Sequence, residues 1–261
     1  KVCKDGFGLD GKYQVGLELE TLTKDTVSEK LKEISELAKT YLGIDASREF
    51  IPVSPSIHYF MGGLYVDRFH RTTLPGVYAA GECACQYHGA NRLGANSTLG
   101  AIYGGMIAAE TAAREAEGVS AGEFAKAAEA EEAAIRDRLS LHRAVTREIN
   151  AVRRLKQLMS SSLGIIRDEA ELQAGLLELA GISPRDVYAP KNHTADAVLF
   201  EDKLLLARAI LSSALARKES RGGHARADYP QTDEAFRKVT VAEWNGSDVL
   251  VRFDEIGRVF A

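Results

Sequence analysis

Apolar and polar residues alternate from Lys12 to Leu19, after a glycine-rich turn at Asp5–Gly11, which predicts a half-buried strand. The period then lengthens. Val27, Leu31, Ile34, Leu37, Ala38 and Tyr41 recur at three- and four-residue steps, so a helix is expected over Thr26–Tyr41, with Gly43 as its stop. Two prolines make Ile51–Ser56 a loop or an edge strand. Leu64–Asp67 reads as a short strand and Leu74–Gly76 as a turn. The apolar run Gly76–Ala80, stopped by Gly81-Glu82, has the pattern of a buried parallel strand ending in a loop. Asn96 or Ser97 is placed to cap a small-residue helix running to about Arg114, whose Gly100, Gly104 and Gly105 allow close packing against a sheet or a ligand.

The next stretch is helical in pattern. Glu123–Ser160 is dense in Ala, Glu and Arg, with Ile135, Leu139, His142, Val145, Ile149, Val152 and Leu155 on one face. Asp168–Leu179 and Phe200–Lys218 are two more helices, separated by a loop over Gly181–His193 with two prolines. Together they predict an antiparallel helical bundle. The chain closes on two short strands, Val239–Trp244 and Asp248–Phe253, joined through Asn245-Gly246 as a hairpin.

Composition narrows the function. The 261 residues carry 33 Lys+Arg against 37 Asp+Glu, a formal charge of −4, which does not favour a nucleic-acid binder. Three cysteines in irregular spacing argue against a disulfide scaffold or zinc finger, and Cys83-x-Cys85 has no second pair, so no metal site is expected. A reducing compartment is the simplest setting. No apolar run approaches the ~20 residues that span a bilayer. The chain opens at Lys1 without an initiator Met, a signal-peptide pattern or a strand-G-x-G-x-x-G-helix fingerprint, so a piece of something longer is expected.

Four clusters could carry chemistry. His58-Tyr59-Phe60-Met61-Gly62-Gly63 would let a ligand approach the backbone beside an imidazole; a core histidine at a tight turn is the commoner use of such a pattern. Glu82, at the end of an apolar strand, could accept two ribose hydroxyls, or be an ordinary loop acid. In His88-Gly89-Ala90-Asn91-Arg92-Leu93-Gly94-Ala95-Asn96-Ser97, a guanidinium between glycines precedes a helix start, suited to a substrate carboxylate and an anion site, or forming only a capped turn. Ser220-Arg221-Gly222-Gly223-His224-Ala225-Arg226 places three potential cations around two glycines, for carboxylates, a partner surface or a solvated turn.

The order of these clusters is more specific than any one of them. The run Ile51–Gly105, with His-Tyr-x-Met-Gly-Gly, Pro-Gly-Val-Tyr-Ala-Ala-Gly-Glu and His-Gly-Ala-Asn-Arg-Leu-Gly-Ala-Asn-Ser, resembles the flavoprotein subunit of succinate dehydrogenase and fumarate reductase. Leu158–Ala170 resembles the start of that family's helical domain, Ala207–Pro230 its C-terminal signature, and Lys4–Glu20 the end of its capping domain. The resemblance implies an α+β fold in four parts: the end of a capping domain (1–57), the C-terminal part of an FAD-binding α/β domain (58–115), a helical-bundle domain (116–230) and a tail with a small hairpin (231–261).

By the same resemblance, His58 and Arg92 are the catalytic and substrate-binding pair that holds the two carboxylates of succinate or fumarate. Glu82 binds the FAD ribose, Ser97 and Thr98 meet the flavin ring through backbone N–H groups, and Tyr59 touches it. The family commonly has Leu at the position of Thr98, which leaves a backbone contact intact. Arg221, His224 and Arg226 have either a ligand role or a structural one. The family's dinucleotide fingerprint, its flavin-linking histidine and its proton-delivering arginine have no counterpart in this chain. The implied partner is an iron–sulfur subunit, with peripheral association at the cytoplasmic, inner face of the cell membrane. L-aspartate oxidase, which shares the His-Tyr and Gly-Ala-Asn-Arg motifs, is the enzymatic rival. A non-catalytic module with an incomplete flavin site is the reading of a different class.

Overall fold

The computed structural model describes residues 3, 6–11, 14–84, 86–116, 121–142, 151–183 and 199–256. It divides into two compact units, Lys1–Tyr59 and Phe60–Ala261.

In the first unit, β1 (Val15–Leu17) pairs antiparallel with β2 (Ile51–Val53), Gly16 opposite Pro52. Pro52 has no N–H to donate, which confines β2 to an edge. The expected single helix is two: α1 (Lys24–Lys30), capped by Thr23 Oγ1 accepting from Thr26 N at 3.2 Å, and α2 (Lys32–Leu42). Leu31 breaks the run at φ −120°, ψ 20°. Gly43 ends α2 in the left-handed region, φ 71°, as expected of a glycine stop. The break turns only part of the apolar stripe inward. Val27 and Ala38 are buried with Leu19, Ala46 and Ile51, while Ile34, Leu37 and Tyr41 are exposed.

In the second unit, Gly76–Ala80 is not a parallel strand. Arg71 and Tyr78 form an isolated antiparallel bridge, and Ala79 N donates to His70 O at 3.1 Å. The apolar run pairs with its own upstream neighbour, and Val77 stays exposed while Ala79 is buried. Leu64–Asp67 likewise makes only an isolated bridge, Val66 to Thr72. Short 3-10 turns at Gly81–Cys83 and Gln86–His88 lead into α3 (Asn96–Glu115). Arg71 reaches both Asp67 and Glu115, and Tyr78 Oη donates to Glu115 at 2.6 Å, so the C-terminal end of α3 is tied to this hairpin. Along the other flank of α3, Leu99, Ile102, Tyr103 and Met106 are exposed at helical spacing.

Helix α4 (Ala121–His142) presents exposed side chains from Ala125 to Ala134. Helices α5 (Ala151–Ser162), α6 (Glu169–Ala180) and α7 (Phe200–Ala216) share the main core. Leu155, Leu158, Leu172, Leu179, Phe200 and Leu211 fill it. Asp168 caps α6 by accepting from Glu171 N at 2.8 Å. Of the expected apolar face along Glu123–Ser160, Leu155 is buried and Val152 packs beside it, whereas Val145 and Ile149 lie outside the described residues. So do Cys85 and the loop beyond Ser183. A parallel pair, β3 (Ile166–Arg167) with β4 (Ala225–Arg226), joins the α5–α6 link to the C-terminal signature. The closing hairpin is β5 (Val239–Trp244) with β6 (Val249–Asp254). Gly246 supplies φ 98° at its tip, and Asn245 Oδ1 accepts from Ser247 N and Asp248 N.

Candidate functional site

The sequence clusters of the second unit converge around the start of α3. Leu64 N donates to Cys83 O at 2.7 Å, and Gly63 lies so close that a Cβ would run into that carbonyl. Phe60 N donates to Glu82 Oε1 at 3.0 Å. The segment after His58-Tyr59 is therefore laced to the Gly81–Cys83 turn. That turn rests on α3, where an added Gly81 Cβ would meet Ala101 Cβ at 3.5 Å. Glu82 is exposed, and the Phe60 bond uses one of its oxygens.

The second turn of α3 approaches its neighbours through glycine. A Cβ on Gly100 would stand 3.0 Å from the Tyr87 ring and 3.3 Å from His88 Nε2, and Tyr87 Oη donates to Gly100 O at 3.1 Å. A Cβ on Gly104 would stand 2.7 Å from His70 Cε1, in a buried ring whose Nδ1 lies 2.8 Å from Ala79 O. Close packing was the expectation for Gly100, Gly104 and Gly105; protein side chains occupy the space at the first two, whereas Gly105 has nothing within 4 Å.

Arg92 is half-buried, and its Nη1 donates to Leu93 O at 3.1 Å. His88 sits in its field: burial, then the Arg92 charge, push the His88 pKa below the ordinary histidine value, so the imidazole stays neutral beside the guanidinium. Neither Asn96 nor Ser97 caps α3. The N-cap is Ala95, at φ 67° and without a side-chain cap bond. A non-glycine residue in that region is strained, and no side chain covers the first-turn amides through the cap. Ser97 is half-buried and Thr98 exposed at this end. His58 and Tyr59 close the first unit, His58 exposed and Tyr59 half-buried. Cys83 is a free, exposed thiol.

The fourth cluster is mostly internal wiring. Arg226 is fully buried; its Nε and Nη2 grip Asp228 at 2.8 and 2.6 Å, and its Nη1 donates to Ala214 O at 2.8 Å at the end of α7. Glu219, also buried, accepts from Arg217, from Arg221 at 3.0 Å and from Asp233 N at 3.0 Å. The motif's glycines face the Arg92 loop. Gly223 N donates to Ala90 O at 2.9 Å, and Gly222, at φ 57°, leaves no room there for a Cβ. Neither this docking nor the neutral His88 was foreseen from sequence, because both depend on residues that are remote along the chain or unremarkable within a motif. Among the described residues, no His, Cys, Asp or Glu group is placed to hold a metal ion, and no helix is long and apolar enough to cross a membrane.

Comparison with known proteins gives this geometry its context. The FAD binding domain model matches residues 3–98, and the fumarate reductase flavoprotein C-terminal model matches residues 152–256. The fumarate reductase flavoprotein subunit of Haemophilus influenzae is 35% identical over 246 residues, covering 88% of this chain and 41% of that protein. The succinate dehydrogenase flavoprotein subunit of Bacillus subtilis is 33% identical over 253 residues, 91% of this chain and 43% of that one. L-aspartate oxidase of Pyrococcus furiosus is 38% identical over 200 residues, 76% of this chain and 36% of the relative. In structure, quinol fumarate reductase of E. coli superposes with a TM-score of 0.80 at 30% identity, over 93% of this chain and 44% of the neighbour. The chain thus spans about two fifths of the length of the relatives it matches.

Proposed function

Because the chain belongs to the FAD-binding family of succinate dehydrogenase and fumarate reductase flavoproteins, we propose that it supplies the dicarboxylate anchors and one wall of the flavin site of an enzyme interconverting succinate and fumarate. One observation carries the reading: the Tyr87-His88 pair beside Arg92 and the Glu82 turn both pack on the N-terminal half of α3, whose first-turn amides have no side-chain cap.

These residues fit FAD. Glu82 keeps an oxygen for a ribose hydroxyl, and the amides of Ser97 and Thr98 sit at the positive end of a twenty-residue helix, where negative charge is favoured. Bound there, FAD would accept or return the hydride, which carries both of the electrons that the reaction exchanges. Arg92 would leave the Leu93 carbonyl to grip one substrate carboxylate with two parallel hydrogen bonds. His58 would hold the other carboxylate. Holding a substrate in one orientation makes the transfer effectively unimolecular. A neutral His88 beside Arg92 leaves the guanidinium as the local cation. Tyr59 would line the flavin. The iron–sulfur subunit, reached at a membrane surface, is the natural electron partner in this reading.

The identity to L-aspartate oxidases supports a second reading, in which the dicarboxylate is L-aspartate. The test is FAD uptake by the full-length flavoprotein that carries this chain, followed by dye reduction with succinate and with L-aspartate. Yellow protein and a succinate response are expected. Arg92→Lys keeps the charge and loses the fork, and should lower turnover by about 100-fold with the fold intact. A response to L-aspartate alone selects the second reading. A full-length flavoprotein that takes up no FAD supports the non-catalytic one.

A further inference from the structure

The turn Arg221–His224 is closed by backbone hydrogen bonds in both directions, Arg221 N to His224 O at 2.8 Å and His224 N to Arg221 O at 3.0 Å. Its far side holds the Arg92 loop through Gly223 N and Ala90 O. The near side is held by the His224 ring. Arg167 Nη1, on β3, lies 2.8 Å from His224 Nδ1, and His224 Nε2 lies 3.1 Å from Arg217 O. A guanidinium only donates and a carbonyl only accepts, so Nδ1 accepts and Nε2–H donates. This arrangement exists only for the neutral ring. A protonated ring would set one donor against another.

Among the described residues, the charged groups that act on the ring are three cations. Arg167 stands on β3, Arg217 follows α7, and Arg226 stands on β4. Arg217 and Arg226 have carboxylate partners in Glu219 and Asp228, whereas Arg167 has none among the described residues. Burial is the main influence lowering the His224 pKa below the ordinary 6.5; the bond to Arg217 O opposes it, and the three cations add to it.

We propose that Arg167 and His224 are positioning residues for Arg92. Neutral His224, held between Arg167 and the end of α7, shapes the Arg221–His224 turn, and that turn fixes the Ala90–Arg92 loop in register with the start of α3. The coupling of turn to loop stands on the geometry alone; its value for dicarboxylate binding rests on the reading of Arg92 as an anchor.

Hydrogen–deuterium exchange of the chain tests the coupling. His224→Phe keeps the ring and removes both nitrogens. Exchange of the Gly223 and Asn96 amides, which donate to Ala90 O and Leu93 O, should rise about tenfold or more, with α5 and α6 amides unchanged. Arg167→Met should do the same, and Arg167→Lys, which still donates to Nδ1, should restore protection. In the wild-type chain, the loop should loosen as pH falls below the usual histidine range, in step with the imidazole NMR titration of His224. That pH step should vanish in His224→Phe. Should His224→Phe fail to fold, Gly222→Ala pushes Ala90 aside without touching either side chain, and should loosen the same amides. Unchanged protection of the Gly223 and Asn96 amides in either folded variant, or equal loosening throughout the chain, overturns the proposal. Succinate titration of the same proteins separates the two readings. No binding by the wild type defeats the anchor reading and leaves the loop result standing. Full affinity in a variant with a loosened loop defeats the link between loop and anchor.

Discussion

Replacing Asp228 by Asn is the sharpest perturbation of the second unit. Arg226 is fully buried, and its bidentate grip on Asp228 holds that carboxyl at about 2 rather than 3.8. The Arg226 hydrogen bonds are the largest cause, burial opposes them, and the Glu169 N–H and the Arg226 charge add to them. A preference of nearly a hundredfold for the ionised form corresponds to about 2.5 kcal/mol. The Asp228 side chain is 27% exposed, so solvent screening brings the pair to about 1–2 kcal/mol. Asn also leaves the buried guanidinium without its charge partner, a loss that reaches about 3–5 kcal/mol in fully enclosed pairs. The expected cost is therefore about 2–3 kcal/mol near neutral pH. The sign with pH follows from the lowered carboxyl: its stabilisation is complete above 3.8 and is lost as pH falls towards about 2. Trp244, the single tryptophan, stands on β5 and reports unfolding of this unit by fluorescence in urea. The gap between wild type and Asp228→Asn should narrow as the solution is acidified. A gap under about 0.5 kcal/mol near neutral pH, or one that persists unchanged through the acid range, would refute the reasoning.

Neighbouring glycines on α3 should respond in opposite directions. Gly104→Ala drives a methyl against the buried His70 ring and should cost about 1–3 kcal/mol, whereas Gly105→Ala, with nothing within 4 Å, should gain about 0.5–1 kcal/mol by thermal melt. Leu211→Ala empties a fully buried site between α5, α6 and α7 and should cost about 2–5 kcal/mol in urea unfolding, with a smaller loss indicating that the three helices collapse onto the gap.

Much of the fold was legible because it is written locally. The tight Asn245-Gly246 tip, the Gly43 stop, the Asp168 start and the glycine face of α3 each follow from backbone preferences within a few residues. Where the reading failed, the deciding partner was elsewhere or the local rule had competition. Asn96 and Ser97 are good caps, yet the chain turns at Ala95 in the left-handed region. The Gly76–Ala80 run is apolar enough for a buried strand, yet it folds back on Arg71. The cations of Arg221–Arg226 looked free for ligands because Glu219, Asp228 and the carbonyls at the end of α7 cannot be assigned to them from spacing. In the site itself, residue types were readable from the motifs, while the contact between Gly223 and Ala90 joins segments more than a hundred residues apart and leaves no trace in either.

The exposed flank of α3 bears on how the protein behaves in a tube. Leu99, Ile102, Tyr103 and Met106 form a stripe between 57% and 67% exposed, beside a formal charge of only −4 to keep copies apart. Sulfate and phosphate strengthen apolar association, so buffers rich in them favour clumping through this strip. Purification at modest salt and pH above the sequence pI of about 5.9 raises the mutual repulsion and keeps the solution clear.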